Sequence, residues 1–427
     1  MRLGGRLQAA IEIIDDIEKR HRPAAEALRD WGLSHRFAGS GDRSAIGNFV
    51  YDALRRKRTA QALLGGESGR ASVIGAVLLS TSETPASLAS AFGGDRFAPE
   101  PISEVEARAI DGFSSNSLTD DQRSDVPEWC VTELRSTFGD DWVNEAACLA
   151  DRPPLDLRVN SIKAERNKVA TALKRTGAKP CEIAPLGLRI PPISGHGRHP
   201  NVQAEPAFRK GWFEVQDEGS QIVAELAAQG SPKQVLDFCA GAGGKSLALS
   251  AAMDNKGQIH AHDTDRQRLA PIFDRLKRAG CRNVQIVADG GDLVSLEGRM
   301  DLVLVDAPCT GSGTWRRRPD AKWRLSNQQL ETRRAEQAAI LDEAVRYVRP
   351  GGRLVYVTCS VFHSENDKQI AQLLDKAPDY QLADPGSFWC SVFPEHIESV
   401  TISQFGVQLS PNKSGTDGFY FAALRRE

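Results

Sequence analysis

Two apolar runs constrain this 427-residue chain more than any other feature. Asp301-Leu-Val-Leu-Val-Asp306 and Arg353-Leu-Val-Tyr-Val-Thr358 are apolar at consecutive positions instead of alternating, the pattern of strands buried on both faces of a parallel sheet. The first runs into Ala307-Pro-Cys309-Thr-Gly-Ser-Gly313 and the second into Cys359-Ser-Val361. Ligands of open α/β sheets bind outside the carboxyl ends of the strands, so two thiols at two such ends face one crevice. The sequence predicts a doubly wound α/β fold with a two-thiol active site.

A third strand end indicates what occupies the crevice. Gln234-Val-Leu-Asp237 leads into Phe238, Cys239, Ala240, Gly241, Ala242, Gly243, Gly244, Lys245 and Ser246, after which Leu247, Leu249 and Ala252 read as a helix. Glycines let backbone approach a ligand closely at the positive end of a helix. Further on, Gln258-Ile-His-Ala-His262 ends at Asp263, placed to accept hydrogen bonds from a ribose. A P-loop needs glycine where Cys239 stands, and the third glycine of a dinucleotide fingerprint is Ser246. What remains is an adenosine-containing cofactor such as S-adenosyl-L-methionine, with the loop from Cys239 to Lys245 together with Asp263 as its expected contacts.

These residues resemble the S-adenosylmethionine-dependent RNA (cytosine-5) methyltransferases of the RsmB/Sun/NSUN type. The matching stretches run in order from about Val126 to the C-terminus. They are Phe213-Glu-Val-Gln-Asp-Glu-Gly-Ser-Gln221, the loop from Asp237 to Lys245, Asp263, Asp289-Gly290, Asp306-Ala-Pro-Cys309, Thr358-Cys-Ser360 with Glu365-Asn366, and Asp417-Gly-Phe-Tyr420. The loop departs from the family in reading Gly241-Ala242 where Ala-Pro or Gly-Pro is usual, and Asp367 replaces a usual glutamate. The resemblance implies a Rossmann-like methyltransferase domain, Asp289 and Asp306 as further cofactor contacts, Cys359 as nucleophile and Cys309 as the thiol that helps release product. At Asp289 the alternative is an ordinary Asp-Gly turn.

The chemistry asks for the same residue types. Carbon 5 of cytosine is a poor nucleophile, and a thiolate adding to carbon 6 makes the ring enamine-like, so that it attacks a sulfonium methyl. Asp306 can stabilise charge at ring nitrogen 3 by sharing a proton, and Lys245 adds positive charge to the crevice. By themselves the residues do not rank the two thiols, because DNA cytosine-5 methyltransferases use the cysteine of their Pro-Cys motif. Cys130, Cys148, Cys181, Cys281 and Cys390 read as core, the usual place for free cysteine. With no C-x-x-C spacing among eight cysteines, neither a zinc site nor any other metal is expected.

A net charge of −2 suits RNA poorly until it is resolved along the chain. From Arg158 to Lys210 stand eleven Lys/Arg (158, 163, 166, 168, 174, 175, 179, 189, 198, 209, 210) against Glu165, Glu182 and Glu205, a local excess of +8. That is an electrostatic footprint for phosphates. Arg316-Arg-Arg318, Lys322 and Arg324, interleaved with Trp315 and Trp323, form a second cluster suited to stacking splayed bases.

Residues 1–112 read as helical, with Ile11, Ile14 and Ile17 on one face and Ile46, Phe49, Val50, Ala53 and Leu54 on another. Arg43 to Arg55 resembles part of the NusB-like RNA-binding domain of the bacterial 16S rRNA branch. A linker is expected over 113–125, a small α+β RNA-binding domain over 126–204, and the catalytic domain over 205–427. No apolar run is long enough to span a bilayer, and Glu12, Asp15 and Asp16 inside the first helical pattern argue against a signal peptide. The reading is a monomeric cytoplasmic enzyme methylating cytosine in RNA, with 16S rRNA expected and tRNA as the alternative. Two further alternatives are an inactive RNA-binding ribosome-assembly factor and a thiol redox enzyme.

Overall fold

The computed structural model describes residues 1–193, 195, 197–287 and 293–427. They form two compact units: Met1–Pro153 with Pro192–His199 and Trp315–Ser326, and Pro154–Pro191 with Pro200–Thr314 and Asn327–Glu427.

The first unit is helical. Its principal helices are Leu3–Arg20, Ala24–Ser34, Ser40–Arg55, Lys57–Leu64 and Gly69–Ser80. The two expected faces are buried, with Leu7, Ile14, Ile46, Phe49, Val50 and Ile74 in one core. Gly75 lets two helices touch: a Cβ there would stand 2.3 Å from the Ala60 carbonyl oxygen. Within the stretch expected as a linker, Thr119 caps the helix Asp120–Ser124, and Asp125 accepts from the backbone N–H groups of Arg58 (2.8 Å) and Thr59 (3.1 Å). Among the described residues no single helix is long and apolar enough to cross a membrane.

The second cationic cluster lies inside this unit and corrects the expectation of a base-stacking surface. Trp315, Arg316 and Lys322 are buried. Lys322 Nζ donates to the carbonyls of Arg55 (2.8 Å) and Asp125 (2.5 Å), Trp323 Nε1 to that of Leu54 (2.7 Å), and Arg55 Nε to that of Arg316 (2.9 Å). Burial depresses the Lys322 ammonium to a pKa of about 8. Lys322 and Trp323 satisfy carbonyls at helix ends, the groups a helix leaves without partners, and so anchor the segment.

The second unit carries two sheets. In the smaller, β1 (Leu155–Val159), β2 (Lys179–Pro180), β3 (Gly187–Ile190) and β4 (Phe213–Val215) are antiparallel in the order β2-β3-β1-β4. Although β4 falls in the stretch expected as catalytic domain, it pairs along β1, with Glu214 opposite Arg158.

The larger sheet has a parallel half made of β5 (Gln234–Asp237), β6 (Gln258–His262), β7 (Val284–Val287), β8 (Met300–Asp306) and β9 (Val348–Thr358). Its antiparallel half is β11 (Thr401–Ile402), β12 (Val407–Leu409) and β13 (Phe419–Arg426), while β10 (Tyr380–Leu382) pairs with β13. The order β11-β12-β13-β9-β8-β5-β6-β7 runs outward on both sides of β5 and β8, so the chain reverses direction between them. Leu236, Val303, Val305, Leu354 and Tyr356 are sealed in a core on one face, and Val235, Leu302, Leu304, Val355 and Val357 on the other. This is the doubly wound Rossmann-like architecture, with ligands expected at the switch point.

Candidate active site

The carboxyl ends of β5, β8 and β9 meet at that switch point and bring the expected residues together. Cys309, three residues past β8, and Cys359, directly after β9, place their Sγ atoms 3.4 Å apart as free thiols. Hydrogen bonding to the Cys359 sulfur and then burial push the Cys309 thiol well above its ordinary range. At the end of β8, Asp306 Oδ2 lies 2.5 Å from Lys245 Nζ, which also sits 5.5 Å from the centre of the Phe419 ring. The ammonium is buried, while the Asp306 side chain remains 33% exposed and able to meet a ligand.

A close backbone approach frames the thiols. Gly313 N–H donates to the Cys359 carbonyl (3.0 Å), and Gly418 N–H donates to the Gly313 carbonyl (2.8 Å). A Cβ on Gly313 would stand 2.1 Å from the Gly418 oxygen, so only glycine fits.

Glu365 was quoted above as a motif letter and not as a site residue, yet it connects both thiol loops. Fully buried, its Oε1 accepts from Thr310 N–H (2.8 Å) and Gln337 Nε2 (2.9 Å), and its Oε2 from the hydroxyls of Thr310 and Ser360 (2.5 Å each). Thr310 follows Cys309 and Ser360 follows Cys359, so one carboxylate sets the spacing of the two sulfurs. Burial raises its proton affinity against those four hydrogen bonds.

The glycine loop opens the helix Gly244–Ala252. Gly241 and Gly243 take φ of +50° and +79°, conformations that favour glycine, and a Cβ on Gly243 would meet Ile272 at 2.3 Å. Asp263 Oδ2 accepts from Gly241 N–H at 2.9 Å and Oδ1 from Asp265 N–H at 2.8 Å. The expected ribose acceptor therefore also holds the loop, each oxygen keeping a second lone pair. Asp237 escaped the sequence reading as a site residue. Ser246 Oγ donates to its Oδ2 at 2.6 Å, its Oδ1 is buried without a partner among the described residues, and burial lifts its pKa to about 7. A glycine cradle at a helix start and a buried acceptor with an unused oxygen suit a nucleoside-bearing ligand. Burial raises the Cys239 thiol well above its ordinary range. Asp289 lies outside the described residues.

The glycine cradle on this sheet, with its switch-point crevice, defines a Rossmann-like methyltransferase. A family model described as 16S rRNA methyltransferase RsmB/F matches residues 224–425, and one described as an RsmF/B-like ferredoxin-like domain matches 126–192. Ribosomal RNA small subunit methyltransferase B from Citrobacter koseri is 33% identical over 321 residues, 74% of this chain and 70% of its own. The crystal structure of PH0851 superposes with a TM-score of 0.70 at 25% identity, covering 100% of both chains. NSun6 from Pyrococcus horikoshii with SFG shares the fold, with a TM-score of 0.58 at 22% identity over 70% of this chain and 98% of that one. The chain belongs to the RsmB/F methyltransferase family. It is an RNA methyltransferase whose cofactor is S-adenosyl-L-methionine.

Proposed function

We propose that the protein methylates carbon 5 of a cytosine in 16S rRNA through a covalent bond between Cys359 and carbon 6. The observation that carries this reading is the pair of sulfurs 3.4 Å apart beside the Lys245–Asp306 ion pair. A thiol that keeps its proton at Cys309 can donate a hydrogen bond to the sulfur of Cys359, the proposed nucleophile. Its thiolate adds to carbon 6, and Asp306 shares a proton with ring nitrogen 3 while charge builds there. Bound at Gly241 to Lys245, Asp263 and Asp306, the cofactor supplies an electrophilic methyl group. Solvent water then takes the carbon 5 proton, the carbon 5–carbon 6 double bond re-forms, and the Cys359 sulfur leaves as a thiolate that the Cys309 S–H assists by donating to it. Methyl transfer to purified 16S rRNA, followed by bisulfite sequencing, tests the reading: one cytosine should gain protection, and none doing so would reject it.

RNA is expected on the small sheet's domain. Lys163, Lys168, Lys174, Arg175, Lys179, Arg209 and Lys210 are exposed, and Lys168 and Lys210 hold Nζ 4.6 and 5.2 Å from the centre of the Trp212 ring. Two of the eleven cations do other work, a correction to the footprint. Arg158 is buried, and Arg189 pairs with Asp156 at 2.7 Å and Glu218 at 3.2 Å. Reversing Lys174, Arg175 and Lys179 to Glu should weaken RNA binding and flatten the slope of log affinity against log salt by about two to three, at roughly 0.7–0.9 per phosphate contact. An unchanged slope in filter-binding titrations would make this face merely solvated.

A further inference from the structure

Two arginines grip the cofactor loop, one from the small sheet and one from the helix Ile272–Ala279. Arg275, on the helix Ile272–Ala279, donates through Nη1 to the Ala242 carbonyl at 2.6 Å. Arg158, on β1, donates through Nη1 to the Gly244 carbonyl at 2.9 Å and to Gln216 Oε1 at 2.6 Å. Glu214 of β4, 4% exposed, organises them. Its Oε2 accepts from Arg275 Nε (3.2 Å) and Nη2 (3.1 Å), its Oε1 accepts from Arg278 (2.5 Å), and it stands opposite Arg158 across the β1–β4 pair.

We propose that Arg158, Glu214 and Arg275 are positioning residues for S-adenosyl-L-methionine, holding the glycine loop in its binding shape from the β1–β4 strand pair and the helix Ile272–Ala279. The peptide group is planar, so fixing a carbonyl fixes the N–H behind it. Holding the Ala242 carbonyl orients the Gly243 N–H, which closes the turn onto the Ala240 carbonyl at 2.8 Å. Holding the Gly244 carbonyl orients the Lys245 N–H, one of the helix-start donors left for a ligand. It also sets the base of the side chain that reaches Asp306 at 2.5 Å. Glycines at 241, 243 and 244 leave this loop wide backbone freedom, so external support helps fix its cofactor-ready shape.

The inference rests on the loop being the cofactor site, and calorimetry with S-adenosylhomocysteine on the full chain separates the two claims. Glu214→Gln and Arg275→Lys should each weaken binding about tenfold or more, because each loosens charge-assisted bonds to the loop. The KM for the methyl donor should rise with them, while the KM for RNA stays near that of the unmodified protein. Arg189→Lys disturbs an ion pair in the same small sheet that does not touch the loop, so it should lower the melting temperature and leave affinity unchanged. If Glu214→Gln and Arg275→Lys bind within twofold of the unmodified protein, or if Arg189→Lys loses as much affinity as they do, the network only stabilises the fold and the proposal is overturned. An unmodified protein that binds no S-adenosylhomocysteine would remove the cofactor assignment and this inference with it.

Discussion

Cys359→Ala should abolish methyl transfer and every covalent protein–RNA adduct together, because it removes the only thiolate placed to activate the ring in the proposed mechanism. Cys309→Ala should do the opposite to the adduct. Addition and methyl transfer proceed with Cys359 intact, elimination is impaired, and a protein–RNA complex accumulates that survives denaturing electrophoresis. The sulfurs are 3.4 Å apart, so both substitutions disturb the same few cubic ångströms, and general damage to the site would make the two phenotypes alike. An adduct that accumulates in Cys359→Ala and disappears in Cys309→Ala would invert the assignment and make the Pro-Cys thiol the nucleophile. The thiol redox alternative predicts neither pattern, since it requires no RNA adduct.

The parts of this site that lie at strand ends could be read from the sequence because strands buried on both faces leave a signature of unbroken apolar letters. Val303 to Val305 and Leu354 to Val357 are sealed in the core, and the residues that follow each run have nowhere to go but the crevice. Features that depend on which elements meet were not readable in this way. Arg158 counts as a phosphate-binding cation by letter, but the pairing of β1 with β4 turns it inward beside Glu214. Trp315, Arg316 and Lys322 have the composition of a base-stacking surface and are buried instead, because charge and aromaticity say nothing about which carbonyls a folded neighbour leaves unpaired. Asp237 opens a recognised loop, yet its orphaned oxygen becomes visible only when the helix that follows folds back to offer Ser246 to the other one.

Glu365 is the strongest case of a function hidden in a motif letter, and its removal should have the largest effect of any residue outside the thiol pair. Glu365→Ala strips the buried Thr310 N–H and the Gln337 amide of an acceptor and frees both cysteine loops at once. Each buried donor left unpaired costs about 1–3 kcal/mol, so a clear fall in melting temperature is expected. Loosening the loops should also displace the sulfurs, and a misplacement of about 1 Å can cost about a hundredfold in rate. Glu365→Gln separates the two effects. Its amide oxygen can still serve Thr310 N–H and Gln337, and its NH2 group faces two hydroxyls that can rotate to accept. The fold should therefore hold while the carboxylate charge is lost. That charge and the hydrogen bond to Cys359 both push the Cys309 thiol up, so the glutamine variant should lower the pH at which Cys309 is alkylated. Single-turnover rates and thiol alkylation profiles read the two consequences independently. An alanine variant with an unaltered single-turnover rate would mean that the cysteine loops hold their spacing without this carboxylate.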